Sequence, residues 1–372
     1  MSPISPDPDQ RSRILVVRND GLGDFILTLP LIAALKARLP GTEVHALVSD
    51  VVAELGPCLP DVDNMIIDPG ILLKRHRRRF LYKDASVMRS ELRGFLKELK
   101  FDAAILAYAE RGSAAMIHRA GIPFRIGPMR RTFLWRFNRF TKASRKGSDR
   151  AEYLLALEGL EQMGLDTEYV APTFSIAPPE RPPPPGPYVV IHPHKRSGTA
   201  LSWPLENFTR VIDAWLKAGV NVVAVGDKVD EPVLRTALGA HSTGSEHHGV
   251  RIETGLSMPG LMTLLAGARL FVGNSSGPLH LAGLVRIPHV GFYPQNRVSA
   301  PSRWRTLPWE DAPKDPESYL LAPKFPIKCV RCKETRCPHF NCVATIPMKR
   351  LVEAIKIWGL EDLAKPLEHL IS

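Results

Sequence analysis

The 372-residue sequence has no apolar run long enough to span a membrane, and its opening stretch, MSPISPDPDQRSR, contains no apolar signal-peptide core. It has only five cysteines, four of them within residues 329–342, which is unlike the even spacing of a secreted disulfide framework. Acidic residues are also few, 38 against 49 Lys and Arg, so the formal net charge is +11. We therefore expect a cytoplasmic protein with an anionic partner.

Signatures of nucleic-acid binding are missing as well. The sequence has no zinc-finger spacing, RNA-binding motif or basic zipper, so nucleic acid is not the predicted partner. The cations concentrate in residues 74–79 (KRHRRR) and in residues 125–150, where Phe133, Trp135 and Phe137 are interleaved with arginines. Cations mixed with aromatic side chains favour the surface of the cytoplasmic membrane or a phosphate-bearing acceptor. The alternative is a solvated surface that only keeps a basic protein in solution.

The most informative stretch is residues 14–40, ILVVRNDGLGDFILTLPLIAALKARLP. Its first four residues are apolar and mostly β-branched, which predicts a buried parallel strand. Gly21 and Gly23 predict a tight turn where the backbone approaches a ligand, and a helical pattern then runs from Asp24 to Leu39. Asp24 is therefore expected at the ligand end of a βα unit, either as the N-cap of the helix or as a general base.

Short apolar strands continue to alternate with helical patterns along the chain, and the alternation restarts after a proline-rich segment. This predicts an α/β protein with an N-terminal Rossmann-like lobe of residues 1–172, a linker of residues 173–187 and a C-terminal Rossmann-like lobe of residues 188–346. Residues 347–372 are expected to form C-terminal helices, for which packing back on the N-terminal lobe is one arrangement.

A second polar loop follows the strand predicted at residues 270–272. The sequence GNSSGPLH occupies residues 273–280, and a helix is predicted from His280 to Leu284. The glycines free the backbone, while the N–H groups and the dipole of a helix start suit a bound diphosphate. A generic capping turn is the alternative.

These motifs together carry a resemblance to a known family. GLGDFILTLP at residues 21–30 and VGNSSGPLHLA at residues 272–282 resemble the two signatures of glycosyltransferase family 9, the ADP-heptose:lipopolysaccharide heptosyltransferases. IHP at residues 191–193, followed by WP at residues 203–204, is similar to the entry of that family's donor lobe. The resemblance implies a GT-B fold of two Rossmann-like lobes facing a central cleft, with the acceptor in the first lobe and an ADP-sugar in the second.

The resemblance also implies the general base, which is Asp24, and an acceptor side around Asn19, Gly21 and Gly23. The donor side is expected to be built from polar residues after three strands of the second lobe. They are His194, Lys195, Ser197, Asp230, Glu231, Asn274, Ser275, Ser276, Gly277, Pro278 and His280. Asp230 and Glu231 are candidates for the ribose hydroxyls, although an exposed acidic loop explains them equally well.

Two positions depart from the pattern of the family. Ser275 stands where the family usually has Asp, and Leu201 stands where it commonly has Lys. Lys195 and Arg196 lie close by in the sequence and could supply the missing positive charge. A donor sugar other than heptose therefore stays open.

The cysteine-rich segment has two interpretations. Cys329, Cys332, Cys337 and Cys342 are spaced closely enough to bind one structural zinc ion, and unliganded thiols are the alternative. Catalysis itself is expected to need no cofactor, because the family transfers sugars without a catalytic metal.

The expected function is inverting transfer of a sugar, most simply heptose from ADP-heptose, to an anionic lipid-linked glycan at the inner face of the cytoplasmic membrane. One alternative is a weakened nucleotide-sugar-binding protein, which Ser275 and Leu201 would explain. An NAD-dependent oxidoreductase is disfavoured because Ile26 occupies the third glycine position of a dinucleotide fingerprint.

Overall fold

The computed structural model describes residues 12–72, 82–129, 132–142, 148–193, 201–238, 250–324, 329, 332 and 336–371. The chain forms two compact units, Met1–Ser175 and Ile176–Ser372, and the boundary lies within the proline-rich residues 173–187.

The first unit is built on a parallel sheet of six strands. Its order is β3-β2-β1-β4-β5-β6. The strands are β1 (Arg13–Val17), β2 (Glu43–Ser49), β3 (Asn64–Asp68), β4 (Ala103–Leu106), β5 (Phe124–Pro128) and β6 (Arg139–Thr141). Its helices are α1 (Leu22–Ile26), α2 (Leu29–Arg38), α3 (Asp50–Ala53), α4 (Tyr82–Glu98), α5 (Arg111–Arg119) and α6 (Glu152–Glu161). The central strands are apolar along their length because helices cover a parallel sheet on both faces.

The second unit repeats the same design. Its sheet has the order β12-β11-β10-β7-β8-β9 and is also parallel. The strands are β7 (Tyr188–His192), β8 (Asn221–Gly226), β9 (Val250–Thr254), β10 (Leu270–Asn274), β11 (His289–Phe292) and β12 (Leu320–Leu321). The helices are α7 (Leu205–Lys217), α8 (Glu231–Leu238), α9 (Met258–Ala266), α10 (Gly277–Leu284), α11 (Pro301–Trp304), α12 (Met348–Ile357) and α13 (Glu361–Ala364). The expectation of an α/β protein with two Rossmann-like lobes is confirmed.

Both sheets reverse their strand order at one place. In the first unit the reversal lies between β1 and β4, and in the second it lies between β7 and β10. Ligands of doubly wound sheets bind outside the carboxyl ends of the strands at such a reversal. Ligand sites are therefore expected at the loops after these four strands.

The prediction of one continuous helix from Asp24 to Leu39 is wrong. The structure has two helices, α1 and α2, separated at Leu27 and Thr28. Pro30 is the second residue of α2, and in a continuous helix it could not donate to the carbonyl of Ile26 and its ring would clash there. The Thr28 hydroxyl donates instead to Asp24 O at 3.0 Å, close to the end of α1 at Ile26.

The aromatic residues of segment 125–150 have mixed environments. Phe133 and Phe137 are buried in the core of the first unit, so the expectation that these two aromatic side chains help to form a binding surface is wrong. Trp135 alone of the three is exposed, with 65% of its surface accessible.

The C-terminal helices pack on the second sheet. Trp215 of α7 donates its indole N–H to Leu363 O of α13 at 2.8 Å, and Trp358, which follows α12, donates to His289 O of β11 at 2.9 Å. Residues 347–371 therefore complete the core of the second unit.

Candidate functional site

The candidate acceptor site lies where β1 ends. The buried strand stops at Val17, and Arg18, Asn19 and Asp20 follow at its carboxyl end. Arg18 is fully buried, with only 1% of its side chain accessible. A guanidinium in such a place must be surrounded by acceptors, because an unpaired buried charge is very costly.

Arg18 is held by three carboxylates. Its Nε donates to Asp20 Oδ1 at 2.8 Å, its Nη2 to Asp24 Oδ1 at 2.6 Å and its Nη1 to Glu152 Oε1 at 3.1 Å. Burial alone would lower the pKa of Arg18, but the three neighbouring carboxylates raise it above its ordinary value. Arg18 therefore stays charged, and one side chain fixes the positions of three acids.

Asp24 is the most accessible of these acids. Its side chain is 27% exposed, against 11% for Asp20 and 1% for Glu152. The N-cap alternative for Asp24 is wrong, because Gly21 is the N-cap of α1 and Asp24 is the third residue of that helix. Its carboxylate binds Arg18 and retains an exposed portion that a substrate can reach.

The absence of a side chain at Gly21 leaves space for the Asp24 carboxylate. Gly21 has an extended conformation with φ −162°, which any residue can adopt. A Cβ at this position would lie 2.8 Å from Asp24 Oδ2. A side chain at position 21 would therefore displace the Asp24 carboxylate, whereas the backbone angle itself does not call for glycine. Gly23 lies within α1, one residue before Asp24.

Asn19 connects this site to the next loop of the sheet. Its amide Nδ2 donates to Asp68 Oδ2 at 2.5 Å, and both side chains are buried. The other oxygen of Asp68 accepts the backbone N–H groups of Gly70, Ile71 and Leu72. Burial raises the pKa of Asp68, while these hydrogen bonds oppose the shift. Asn19 is thus a structural link between the loops after β1 and β3.

The second unit has a polar loop at its own strand reversal. Helix α10 begins at Gly277 and not at His280 as predicted, with Ser276 as its N-cap residue. The first N–H groups of a helix have no partner within it, and they carry the positive end of its dipole. Gly277 has no side chain to cover them, and Pro278 already has a φ suited to the first turn.

Ser276 bridges the two central strands of the second sheet. Its hydroxyl donates to Asn274 O at 3.0 Å and lies 3.1 Å from His192 Nδ1 at the end of β7. His280 is buried in the body of α10. The hydroxyl of Ser276 and the start of α10 therefore lie at the same edge of the sheet.

Asn274 has a positioning role in the structure. Its Oδ1 accepts the backbone N–H of Trp203 at 2.7 Å, and its Nδ2 donates to Pro193 O at 3.0 Å. Trp203 in turn stacks on Phe292 with ring centroids 4.2 Å apart. The buried amide thus fixes both ends of the segment between residues 193 and 203. Ser275 donates its N–H to Phe292 O at 2.9 Å.

The two acidic candidates after β8 differ from each other. Asp230 is buried and accepts the N–H of Asp227 at 3.0 Å as one half of a capping box. Glu231 is more exposed, pairs with Arg235 and accepts the Thr254 hydroxyl at 2.9 Å. Both side chains therefore have structural partners, and their contact with ribose stays a prediction.

Several predicted residues lie outside the described part of the chain. These are the donor residues His194, Lys195 and Ser197 and the basic run of residues 74–79. Their roles stay predictions.

All four cysteines of the cysteine-rich segment are among the described residues. Burial raises the pKa of the Cys342 thiol, and the nearby Cys332 and Cys337 raise it further. Within the described ranges, no group of three or more His, Cys, Asp or Glu side chains is arranged to hold a metal ion. Zinc binding by Cys329, Cys332, Cys337 and Cys342 therefore stays a proposal.

Sequence reasoning missed the residues that support the two loops. Arg18 had a local signal, because an arginine directly after a buried strand at the ligand edge needs acidic partners. Glu152 had none, since it lies 134 positions from Arg18 in the sequence. His192 belonged to a noted motif, but only the pairing of β7 with β10 places it beside Ser276.

The fold and these two loops define a class of protein. Two doubly wound units, one with an accessible carboxylate and the other with a helix start suited to a diphosphate, are the parts of a GT-B glycosyltransferase. Comparison with known proteins narrows this class. The sequence model of glycosyltransferase family 9 (heptosyltransferase) matches residues 89–317, which is more than half of the chain. The chain therefore belongs to glycosyltransferase family 9.

Individual relatives agree with this assignment. Lipopolysaccharide heptosyltransferase 1 of Pseudomonas aeruginosa is 24% identical over 299 residues, covering 76% of this chain and 78% of that protein. The crystal structure of a family 9 glycosyltransferase from Veillonella parvula has a TM-score of 0.69 at 18% identity, covering 94% of this chain and 97% of that one. The ADP-heptose lipopolysaccharide heptosyltransferase II of Escherichia coli has a TM-score of 0.67 at 18% identity, covering 96% and 99%. These similarities confirm the predicted GT-B fold.

Proposed function

We propose that this glycosyltransferase moves heptose from ADP-heptose to a lipopolysaccharide-core or related glycan, with inversion at the anomeric carbon. The observation that carries the proposal is the accessible Asp24 carboxylate held by buried Arg18 at the strand reversal of the first unit. The names of the relatives supply the donor and the type of acceptor, and both are proposals for this chain.

The first unit is proposed to activate the acceptor. A sugar hydroxyl is a weak nucleophile at neutral pH, so a carboxylate within hydrogen-bond reach must accept its proton as the bond to the anomeric carbon forms. The partly exposed Asp24 side chain is proposed for this step, and its hydrogen bond with Arg18 fixes the orientation of the carboxylate. Asn19, Gly21 and Gly23 shape the loop around it. The acceptor oxygen attacks the face opposite to ADP, which gives an inverted product.

The second unit is proposed to hold ADP. Negative charge grows on the diphosphate as the bond to the sugar breaks, and fixed dipoles can stabilise it in the transition state. The start of α10, with Gly277 and the Ser276 hydroxyl, is suited to this task. Lys195 is proposed as the cation next to the diphosphate, with His194 and Ser197 beside it. Glu231 is the better candidate for contact with the ribose hydroxyls, because Asp230 is buried.

The acceptor is proposed to be anionic and linked to lipid, and the first unit is proposed to bind at the cytoplasmic face of the inner membrane. Residues 74–79 and exposed Trp135 belong to this unit. Within the described ranges, no helix is long and apolar enough to cross a membrane. Sedimentation with phosphatidylglycerol vesicles tests the location: we expect binding that high salt and the Arg77→Ser, Arg78→Ser, Arg79→Ser triple variant both reduce. Equal binding to neutral vesicles would contradict it.

A thermal-shift screen tests the donor. ADP and ADP-heptose should raise the melting temperature, since a ligand at 100 times its dissociation constant stabilises the native state by about 2.7 kcal/mol. UDP-sugars and NADH are the matched negative ligands. Stabilisation by a UDP-sugar but not by ADP-heptose would contradict the proposed donor. Stabilisation by ADP-heptose without ADP release in the presence of any glycan acceptor would favour the nucleotide-sugar-binding alternative.

A further inference from the structure

A large basic cavity lies in the first unit, between helices α4 and α5 and the short turn Leu134–Arg136. Its volume is about 720 Å³. The residues that line it come from these three elements and from the loop after β3. Those that carry the argument are Leu72, Arg89, Arg93, Arg111, Arg119 and Arg136. Among the described lining residues, five are arginines and none is acidic.

Helical spacing in the sequence explains how the arginines come together. Ser86, Ser90, Arg89 and Arg93 form two pairs spaced by four residues on α4, so they share one side of that helix. On α5, Arg111, Ala115 and Arg119 follow each other at the same spacing. The two helices pack together, and each therefore presents a basic stripe to the space between them.

Several other arginines of the described chain have carboxylate partners that these five lack. Elsewhere arginines form ion pairs, such as Arg13 with Glu43, Arg38 with Asp166 and Arg269 with Asp362. Among the described residues, no carboxylate lies within ion-pair distance of any of the five cavity arginines. Their polar contacts there are with neutral groups.

The positive charges around the cavity also repel one another. Arg136 is buried, and its pKa is lowered first by burial and then by the nearby charges of Arg111 and Arg119. The pKa of His118 is lowered by burial and by Arg125, Arg136 and Arg119. Such repulsion is relieved when an anion enters the space, because each guanidinium can then donate to it.

One end of the cavity lies beside the loops that follow β3 and β4, where Leu72 and Arg111 line it. Leu72 belongs to the loop that Asp68 organises, and Asp68 is bound to Asn19. Arg111 begins α5 just beyond the end of β4, the strand next to β1 at the reversal. A Cβ at Gly112 would collide with Leu72 O, so a glycine permits the close approach of α5 to this loop. The arrangement joins the cavity to the loops around the proposed base.

We infer that this cavity binds phosphoryl groups carried by the acceptor. Planar guanidinium forks donate two parallel hydrogen bonds to phosphate oxygens, and a site with several of them suits a multiply charged group. The volume exceeds the needs of a single inorganic phosphate and admits a phosphorylated sugar or headgroup. This inference rests on the proposed function only for the identity of the acceptor, since the anion site itself follows from the five arginines.

The inference is tested by calorimetric titration of the full chain with inorganic tripolyphosphate, with ADP present at saturation to occupy the donor site. The cavity variant is Arg93→Gln with Arg119→Gln, because both side chains are exposed and neither is needed in the core. Arg210→Gln with Lys217→Gln, exposed on α7, removes the same charge elsewhere. We expect the cavity variant to weaken tripolyphosphate binding about 100-fold and the control variant less than about threefold.

Two further arms identify the chemistry and the source of the anion. Citrate should bind far more weakly than tripolyphosphate, and equal binding would overturn the assignment to phosphoryl groups. Loss of binding to phosphatidic acid vesicles in the cavity variant would assign the phosphate to a lipid headgroup. Retained vesicle binding with lost tripolyphosphate binding would assign it to a phosphorylated sugar of the acceptor.

The result is separable from the proposed function. ADP affinity of the wild type and the cavity variant should agree within about twofold, because the donor site belongs to the other unit. If ADP fails to bind either protein, the proposed donor is wrong, while the difference in tripolyphosphate binding still stands. Equal tripolyphosphate affinity in the wild type and the cavity variant would overturn the inference.

Discussion

Arg18 and Asp24 form the contact on which the account of the first unit depends. A buried cation paired with three acids is a rigid device, since removing one partner leaves another group uncompensated. Arg18 and Glu152 are almost fully enclosed, whereas Asp24 is 27% exposed. The buried partners therefore provide support, and the exposed one is available for chemistry.

His289 in the second unit gives a prediction of pH dependence. Its Nδ1–H donates to Ile287 O and its Nε2 accepts the Thr306 hydroxyl, so the buried ring is neutral. Burial lowers the pKa of His289 from 6.5 to about 4. Below pH 6.5 the unfolded chain binds a proton that the folded chain excludes. The stabilising contribution is therefore complete above pH 6.5 and is lost as the pH falls to 4, by about 3 kcal/mol at most.

Urea unfolding of the wild type and of His289→Gln at pH 7.5 and pH 5 measures this contribution. The variant keeps a donor and an acceptor but no titratable ring, so its free energy of unfolding should fall less between the two pH values. An equal loss in both proteins would show that His289 does not control acid stability.

The loop from β1 to α1 gives a prediction at the level of an element. Gly21→Ala places a methyl group against Asp24 Oδ2, while the extended backbone accepts alanine. We expect kcat to fall about 10- to 100-fold because a small displacement of a catalytic group is costly. The free energy of unfolding should change by less than about 1 kcal/mol.

Gly94→Ala is the matched control. A Cβ at Gly94 meets nothing within 4 Å, and the residue lies inside α4. Alanine there should leave kcat unchanged and stabilise the protein by about 0.5–1 kcal/mol. If Gly21→Ala retained wild-type kcat, the position assigned to the Asp24 carboxylate would be wrong.

The elements that the sequence predicts are those with a local pattern. The buried strands β1, β7 and β10 follow from short apolar runs in the sequence. The break between α1 and α2 could have been recognised from Pro30, whereas apolar periodicity alone suggested one helix. The contact of Arg18 with Glu152 joins β1 to α6 across most of the first unit, and no local pattern carries such a pair.

At the scale of the whole molecule, the same strand order occurs in both units, and each presents a different chemistry at its reversal. The first has carboxylates around a buried arginine, and the second has a helix start with small polar residues. The chain belongs to glycosyltransferase family 9, and we propose that the first unit activates the acceptor and the second holds the donor. Positive charge is a global property of the chain, but the arginine cavity localises part of it in the first unit.

Metal chelation gives a prediction for the entire enzyme. Turnover should persist in excess EDTA, because the start of α10 and nearby cations are proposed to stabilise the leaving diphosphate. Neither the glycine turn nor the 273–280 loop offers an Asp-x-Asp pair for a metal–diphosphate bridge. Initial rates with EDTA, with and without added Mg²⁺, check this expectation.

Circular dichroism in the same EDTA buffer is the control for that experiment. If the four cysteines hold a structural metal, its removal should unfold the protein, because the free energy of metal binding at such a site stabilises the folded state. A rate that collapses while the protein stays folded, and returns with Mg²⁺ alone, would contradict metal-independent transfer.

The central claim is that Asp24 is the base of an ADP-sugar transferase, and the rate of acceptor-dependent ADP release from ADP-heptose tests it most directly. Asp24→Asn is compared with Asp20→Asn, which alters another partner of Arg18 by the same isosteric change. We predict that Asp24→Asn lowers the rate about 100- to 10,000-fold with donor affinity unchanged, and that Asp20→Asn has a much smaller effect. An Asp24→Asn enzyme that keeps more than about a third of the wild-type rate would contradict the claim.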